Sequence, residues 1–528
     1  MTFKRAADCF HVRVDLRQLS GFSVLQPEAG RRQFLCRKTR NSMQFAFSRG
    51  FSVLVLTSAF VASLAFAASA AGQSAEPTQN PYPKPIEATE GVIKVRFVDF
   101  ASLPTVPGQT QAARMMLLVD EPGTKRLFVN DMVGPLYTVS YDGKTVTPYL
   151  DLNAAEWGYP VQSRGGERGF QSFAIHPQFN ERGSRGYGKF YTYSDTSAMT
   201  ETADFTTPGT QHSHDTVLLE WTAKTPSAAS YDGGKPKELL RWAQPYGNHN
   251  AGHATFNPLA KPGDADFGLL YFGIADGGSG GDPFGVGQDL KSGFGKILRI
   301  EPLGTNSANG KYGIPASNPF VKKGNAALGE IYAYGIRNVQ RIFWDSKTGG
   351  MFMSDIGQNA IEEISPVTSG ANLGWNIWEG SLRFHSRKGA IPGEARSDKS
   401  MTFPVAEYDH VDPLLLNNVA TIGGFIYRHS AIPQLTGKLI FGDNPSGEIF
   451  YVSADTLPEG GSDPIRRVLF DDKGSTKTFL QVIQEKNTAQ GVKPANRADL
   501  RFGVGPDGQI FVLNKHDGTI RMLVAGGR

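Results

Sequence analysis

Cysteine is nearly absent from this sequence. Two cysteines, Cys9 and Cys36, occur in 528 residues, and both precede the first segment that has the pattern of a folded strand. The remainder of the chain therefore has no disulfide, no thiol nucleophile and no cysteine-ligated metal site. Its stability must come from the size of its hydrophobic core.

Two common cofactor motifs are also missing. No G-x-G-x-x-G follows a strand and opens a helix, which argues against a Rossmann nicotinamide site. The haem-attachment pattern Cys-x-x-Cys-His is absent as well. A redox reaction would therefore need a separate electron acceptor for reoxidation.

An excess of basic residues is lacking outside the N-terminal region, despite the formal net charge of +4. Residues 1–49 hold ten Lys and Arg against three Asp and Glu, so that 44 basic and 47 acidic residues remain, a net charge of −3. Nucleic acids and anionic membranes are bound by clustered positive charge. The composition therefore does not support either partner.

The N-terminal region has the pattern of a secretory signal. A basic segment leads into the hydrophobic run Phe51 to Ala67, which is followed by the small residues of ASAAG. These three regions predict cleavage around residues 70–72 and a periplasmic or secreted protein, whereas the alternative is an uncleaved membrane anchor. Because the 42 residues before Met43 are long for a signal, we interpret 1–72 as a signal peptide with a spurious N-terminal extension.

The rest of the composition indicates a β protein. Glycine (61) and proline (32) are abundant, and long helical patterns are few. Residues 73–90 are polar and proline-rich, as in a flexible linker, and Gly91 to Phe100 then alternates apolar and polar residues. A second strand pattern, Gln509 to Leu523, ends the chain, so one sheet could contain strands from both ends.

A strand–turn pattern recurs six times. Its copies are RLFVNDMVGPLYTVSYDG (126–143), KFYTYSD (189–195), LLYFGIADGG (269–278), GGMFMSDIGQNAIEEI (349–364), KLIFGDNPSGEIFYVSAD (438–455) and QIFVLNKHDGTIRML (509–523). The spacing of about 60 to 90 residues suits four-stranded sheets with long loops. We predict an all-β fold over 91–528, a six-bladed β-propeller of mostly four-stranded antiparallel blades. A tandem of β-sandwiches is the alternative.

The most informative loop is YGNHNAGH, which places His249 and His253 four residues apart. It precedes the apolar strand Leu269 to Ile274 and the glycine-rich turn after Asp276. Loops that join short strands often carry chemistry, and a histidine can act as a base near neutral pH. The alternative is that both histidines only satisfy loop hydrogen bonds.

Several segments together resemble the glucose/sorbosone dehydrogenase family of soluble sugar dehydrogenases. The matching segments are GGERGFQSFAIHPQF (165–179), NHNAGH (248–253), GKILRIEP (295–302), YGIRNVQRIFWD (334–345), SDIGQNAIEEI (354–364), GANLGWN (370–376), GGFIYRHSAIPQLTGKLIFGD (423–443) and RFGVGPDGQIFVLNKHDGTI (501–520). The resemblance implies a six-bladed propeller that uses pyrroloquinoline quinone (PQQ) and Ca²⁺. The implied reaction oxidises the anomeric carbon of an aldose to the lactone, with a separate quinone or cytochrome as electron acceptor.

The resemblance also implies roles for individual residues. His249 matches the histidine base of the family's H-x-x-G loop, and Arg337 matches the arginine beside the reacting quinone carbonyl. Gly357 and Gln358 match the backbone whose carbonyl oxygens hold Ca²⁺, a cation that prefers oxygen ligands. His253 is left as a structural or supporting residue.

The chain departs from the family pattern at two places. Glu167 stands where several members have glutamine, and it could pair with Arg168. Arg497 and Arg501 are spaced differently from the family's paired arginines. We assign Glu167, Arg497 and Arg501, with Arg337, to cofactor binding.

Three aromatic residues, Trp375, Trp378 and Tyr427, could stack on a sugar or belong to the core. Two other functions stay open at this point. One is a propeller that binds a protein or glycan without redox chemistry, and the other is a Ca²⁺-dependent lactonase.

Overall fold

A computed structural model describes residues 76–105, 111–208, 212–416 and 418–526. The predicted signal region 1–72, with its hydrophobic run Phe51 to Ala67 and both cysteines, lies outside the described residues. In the described ranges, no helix is both long enough and apolar enough to cross a membrane.

The described chain is built almost entirely of strands. They are β1 (Ile93–Ser102), β2 (Met115–Glu121), β3 (Arg126–Asp131), β4 (Pro135–Ser140), β5 (Val146–Asp151), β6 (Phe170–Ile175), β7 (Lys189–Thr196), β8 (His214–Thr222), β9 (Lys237–Gln244), β10 (Ala251–Phe256), β11 (Leu270–Ile274), β12 (Lys296–Ile300), β13 (Ile331–Tyr334), β14 (Val339–Trp344), β15 (Met351–Asp355), β16 (Ile361–Val367), β17 (Trp378–Glu379), β18 (Leu382–Phe384), β19 (Ala390–Ile391), β20 (Ala406–Asp409), β21 (Thr421–Tyr427), β22 (Lys438–Asp443), β23 (Ile449–Ser453), β24 (Arg466–Asp472), β25 (Ser475–Lys477), β26 (Arg501–Val504), β27 (Ile510–Leu513) and β28 (Thr519–Ala525).

Helical structure is short. The α-helix α1 (Phe479–Ala489) begins with a capping box in which the Thr478 side chain accepts from the Gln481 amide and the Gln481 side chain accepts from the Thr478 amide. Short 3₁₀ segments cover Val321–Ala326, Ser386–Lys388, Pro392–Glu394 and Pro433–Leu435.

Four-stranded antiparallel sets dominate the sheet topology. Three are separate sheets, β6–β9, β10–β13 and β14–β15–β16–β20. A larger sheet contains three further antiparallel sets, β21–β24, β26–β27–β28–β1 and β2–β5, joined by the parallel pairs β24–β1 and β26–β2. The prediction of an all-β fold made of four-stranded antiparallel sheets is confirmed.

Each of the six repeats found in the sequence contains the second strand of one set: β3, β7, β11, β15, β22 and β27. The first strands contact one another in the order β2, β6, β10, β14, β21 and β26, and β26 contacts β2 again. The first strands of the six sets therefore form a closed series of contacts.

Burial follows from this arrangement. Strand β11 is buried along its whole length because neighbouring sets cover both of its faces. Strand β1 instead alternates, with Val95 buried and Lys94 and Arg96 exposed, as its sequence pattern predicts. The last strand, β28, pairs antiparallel with β1.

The described part of the segment interpreted as a linker contacts the sheets. Thr78 forms a β-bridge with Ala390, and Ile86 is 2% exposed while its amide donates to Asp412 Oδ2 at 2.6 Å. Residues 76–90 are therefore attached to the fold by specific contacts.

Candidate active site

A cavity of about 570 Å³ opens where the first strands begin. All seven residues assigned from the sequence line it: Glu167, His249, Arg337, Gly357, Gln358, Arg497 and Arg501. They come from four different sheet sets, so the fold collects residues that lie up to 334 positions apart in the chain. Their individual roles stay predictions.

His249 is held by a carboxylate that follows the neighbouring strand. Its Nδ1 lies 2.7 Å from Oδ1 of Asp276, and a carboxylate can only accept a hydrogen bond. The proton of the neutral imidazole therefore lies on Nδ1, and the lone pair of Nε2 is free to accept. His249 is 5% exposed. Its backbone φ is 52°, a conformation that residues other than glycine seldom adopt.

Asp276 has two further donors. Its Oδ1 accepts from the Gly278 amide at 3.0 Å, and its Oδ2 accepts from Nε1 of Trp375 at 3.0 Å. Burial alone would raise the pKa of Asp276, but His249, Arg337 and the Gly278 amide hold this pKa below its usual value. Asp276 is therefore a fixed anion behind the imidazole.

Arg337 faces the other nitrogen of the imidazole. Its Nη2 lies 2.9 Å from His249 Nε2, and its Nη1 donates to the Ile356 carbonyl at 2.7 Å. The guanidinium also lies over the Trp375 ring, 5.7 Å from its centroid. Nε2 thus points towards the guanidinium of Arg337 and towards the cavity, and this geometry directs its lone pair.

Glu167 does not form the internal pair with Arg168 that the sequence left open. Its Oε2 accepts from the His249 backbone amide at 2.8 Å, whereas Arg168 Nε donates to the Arg164 carbonyl at 3.0 Å. The loop geometry explains the difference, because His249 presents its amide to this wall of the cavity. Glu167 thus supports the backbone of the candidate base.

The opposite wall is strongly cationic. Arg497 donates to Asp499 Oδ1 at 2.7 Å, while Arg501 is buried and its Nε has no hydrogen-bond partner within the described ranges. Lys515, which the sequence analysis missed, also lines this wall and donates to the Gly166 carbonyl at 3.3 Å. The different spacing of the two arginines therefore does not remove either of them from the cavity.

The single carboxylate of Asp499 does not offset the effect of burial and of the neighbouring cations in this wall. Burial lowers the pKa of Arg501 to about 10; Asp499 opposes this shift, and Arg497 and Arg114 increase it. Burial and, to a smaller extent, the charge of Arg501 lower the pKa of Lys515 well below its usual value. Three cations and one orphaned guanidinium nitrogen fit a ligand that carries several carboxylates.

The loop Gly357–Gln358 follows β15 and has the features of a carbonyl site. A Cβ at Gly357 would lie 1.7 Å from the Ile361 carbonyl oxygen, so only glycine fits there. No group of three or more His, Cys, Asp and Glu side chains in the described ranges could hold a metal ion, and a carbonyl site needs none. The donor set fits a hard cation such as Ca²⁺.

The remaining candidates from the sequence are placed in the core. His253 is 7% exposed, and its Nδ1 accepts from the Ile342 amide at 3.2 Å. Burial lowers the pKa of His253 well below its usual value, which suits a structural role. Trp378 and Tyr427 are 1% and 2% exposed, whereas Trp375 contacts the site through Asp276.

The model of the family described as Glucose / Sorbosone dehydrogenase matches residues 113–523. HIPL1 protein of Arabidopsis thaliana is 33% identical over 274 residues, which cover 49% of this chain and 38% of that protein. Aldose sugar dehydrogenase YliI of Escherichia coli is 26% identical over 256 residues, covering 48% of this chain and 61% of that protein. The chain thus spans only part of the length of these relatives.

A solved structure gives the same architecture. The PQQ-bound form of aldose sugar dehydrogenase from Streptomyces coelicolor superposes with a TM-score of 0.50 at 19% identity, covering 82% of this chain and 98% of that one. At this identity the likeness concerns the fold alone.

Proposed function

Because the chain belongs to the glucose/sorbosone dehydrogenase family, we propose that it is a PQQ- and Ca²⁺-dependent aldose dehydrogenase built on a six-bladed propeller. The blade count rests on the six antiparallel sets and on the cyclic contacts of their first strands. The observation that carries the activity is the Asp276–His249–Arg337 arrangement at the cavity.

The residues divide the work by their chemistry. Nε2 of His249 takes the proton of the anomeric hydroxyl, and Asp276 holds the Nδ1 proton and stabilises the imidazolium that forms. For that transfer the hydrogen bond between Arg337 and Nε2 must open, since both the sugar hydroxyl and the guanidinium are donors. When bound, PQQ supplies the hydride acceptor, and the sugar leaves as its lactone.

The cationic wall and the glycine loop would hold the two cofactors. Arg497, Arg501 and Lys515 bind the carboxylates of the quinone, and Arg337 binds at its reacting side. The carbonyl oxygens of Gly357 and Gln358 bind Ca²⁺. Glu167 contributes by fixing the His249 backbone.

The test is dye-linked turnover by purified protein loaded with PQQ and Ca²⁺, over a panel of aldoses. We expect turnover that depends on both additions and falls by about two to four orders of magnitude in His249→Gln, the usual loss for one acid–base group. His253→Gln is the matched control, because His253 lies in the core. Turnover that survives His249→Gln but is abolished in His253→Gln would reassign the base.

One observation favours a second candidate, a propeller that binds a protein or glycan partner without redox chemistry. Nε2 of His249 already accepts a hydrogen bond from Arg337, so the pair could be purely structural. No PQQ binding and no turnover in the same assay would support this candidate.

Export to the periplasm is part of the proposal and rests on the signal pattern of residues 1–72. N-terminal sequencing of the protein from a periplasmic fraction should begin near residues 70–72. Recovery of the intact Phe51 to Ala67 segment in membranes would instead identify an anchor.

A further inference from the structure

The loop that follows β15 is fixed from behind by one buried carboxylate. Glu379, in β17, is 2% exposed. Its Oε1 accepts from four consecutive backbone amides: Gln358, Asn359 and Ala360 at 2.8 Å each, and Ile361 at 3.1 Å. Successive amides that converge in this way form an anion-binding nest, and here a side chain of the same protein occupies it.

The direction of these amides sets the direction of the carbonyl groups. In a trans peptide the C=O of one residue points opposite to the N–H of the next. The carbonyl groups of Gly357 and Gln358 therefore point away from Glu379, and both residues line the cavity.

The neighbouring carbonyls support this orientation. The Ile356 carbonyl accepts from Arg337 Nη1 at 2.7 Å, and the Ala360 carbonyl accepts from the His410 amide at 3.2 Å. Gly357 and Gln358 lie between these two positions in the chain. Their oxygens are thus presented to the cavity as a pair.

Charge leads to the same conclusion. Glu379 has no Lys, Arg or His nitrogen within ion-pair distance in the described part of the chain, although Glu362 first and then Glu379 raise the pKa of nearby His410 against its burial. The Oε2 atom of Glu379 is buried there without a hydrogen-bond partner. Buried charges in proteins are normally paired or lie close to a metal ion. A cation bound to the two carbonyl oxygens would give this carboxylate its compensating charge.

We infer that Glu379 is a positioning residue that aims the Gly357 and Gln358 carbonyl oxygens at Ca²⁺ and sets the affinity for that ion, an inference that rests on the proposed function. Glu379 touches neither the substrate nor the cation. It acts through the backbone of the loop and through its charge.

The test compares Ca²⁺ binding by PQQ-free protein in the wild type, Glu379→Gln and the control Glu394→Gln. Glutamine keeps an oxygen for the amides and removes the charge, while Glu394 is exposed and forms only a 3.8 Å ion pair with Arg383. We expect calorimetry to give a Kd for Ca²⁺ raised about tenfold to a hundredfold in Glu379→Gln, the usual cost of losing a residue that supports metal ligands. The control should match the wild type.

Melting temperatures in EDTA and in excess Ca²⁺ separate positioning from general stability. A merely structural residue would lower both temperatures equally, whereas a positioning residue reduces the increment that Ca²⁺ produces. If Glu379→Gln does not fold, Glu379→Asp keeps the charge but withdraws the acceptor from the amides, and we expect a raised Kd there too.

An unchanged Kd in Glu379→Gln, or no Ca²⁺ binding by the wild type, would overturn the inference. Neither result depends on turnover, so this test and the dehydrogenase assay can fail separately. Ca²⁺ binding that is weakened in Glu379→Gln, together with absent turnover in the loaded wild type, would remove the dehydrogenase proposal and leave the role of Glu379 standing.

Discussion

Replacing Asp276 by asparagine tests the candidate base without touching the imidazole. The carboxylate of Asp276 receives three donors, from His249, from the Gly278 amide and from Trp375. An asparagine side chain has one acceptor oxygen and one donor amide group, so at least one of the three donors must face an NH₂. The two orientations of the new amide have different consequences.

With its oxygen towards His249, the amide leaves the Trp375 indole without an acceptor, which costs about 1 to 3 kcal/mol of the free energy of unfolding. With its nitrogen towards His249, it forces the imidazole proton onto Nε2, opposite the guanidinium of Arg337. In either case the imidazolium loses its anionic partner. We expect kcat to fall by about two to four orders of magnitude, which corresponds to about 3 to 5 kcal/mol of activation free energy.

The assay is dye-linked turnover at saturating PQQ and Ca²⁺, with melting temperature measured in parallel. Asp289→Asn is the control, since it makes the same chemical change at an exposed position of the following loop. A folded Asp276→Asn protein that keeps a third or more of the wild-type kcat would refute the assignment of His249 as a base oriented by Asp276.

Three further predictions concern other groups of the site and the core. Arg337→Ala should raise the Kd of PQQ about tenfold and lower kcat about a hundredfold or more, because a charged donor is lost at the reacting side. Fluorescence titration measures the Kd and dye-linked turnover measures kcat. If both stayed at their wild-type values, the assignment of Arg337 would be contradicted. Glu167→Gln keeps an acceptor for the His249 amide and removes a negative charge, so the Kd of PQQ should fall by about threefold to tenfold, and a weaker complex in the same titration would oppose this reasoning. Burial raises the pKa of Asp443 to about 7, so its protonated form stabilises the fold at low pH, and this contribution is lost as pH rises from about 4 through 7. Asp443→Asn should therefore remove a decline of up to about 4 kcal/mol in the free energy of unfolding over that range. If the melting temperature of Asp443→Asn fell with pH between 5 and 8 as steeply as that of the wild type, the reasoning would be contradicted.

Strand positions could be predicted well because the second strand of each set is both apolar and followed by a turn. The repeats at 269–278 and 438–455 coincide with β11 and with β22–β23. The helix α1 was missed although its signals are present, namely Thr478 and Gln481 as a capping box and buried Phe479, Val482 and Ile483 at helical spacing.

The site was predicted in part. His249 and Arg337 follow from the family resemblance. Asp276, the hydrogen-bond partner of His249, was not predicted, although the sequence contained a signal for this contact. In the β10–β11 hairpin Ala251 pairs with Ile274, and continuing this register by two residues places His249 opposite Asp276. The strand register thus predicts the contact once the hairpin is recognised.

Glu379 and Lys515 could not be found in this way. Glu379 contacts the loop Gly357–Gln358 from a two-residue strand of a separate small sheet. Lys515 follows β27 and lines the same cavity as residues that are far from it in the chain. Their roles depend on tertiary packing, which no local pattern encodes.

The pairing of β1 with β28 affects how the protein folds as well as how it is held together. Ser102 lies opposite Thr519 in that ladder, so more than 400 residues separate the two partners. Contacts of such long range form late, because their loop-closure entropy must be overcome first. During synthesis, β1 is made long before β28, so the edge of β1 that pairs with β28 stays open until that strand is made. This order of the strands therefore leaves a strand edge open during synthesis, and such edges are where chains pair with one another and aggregate.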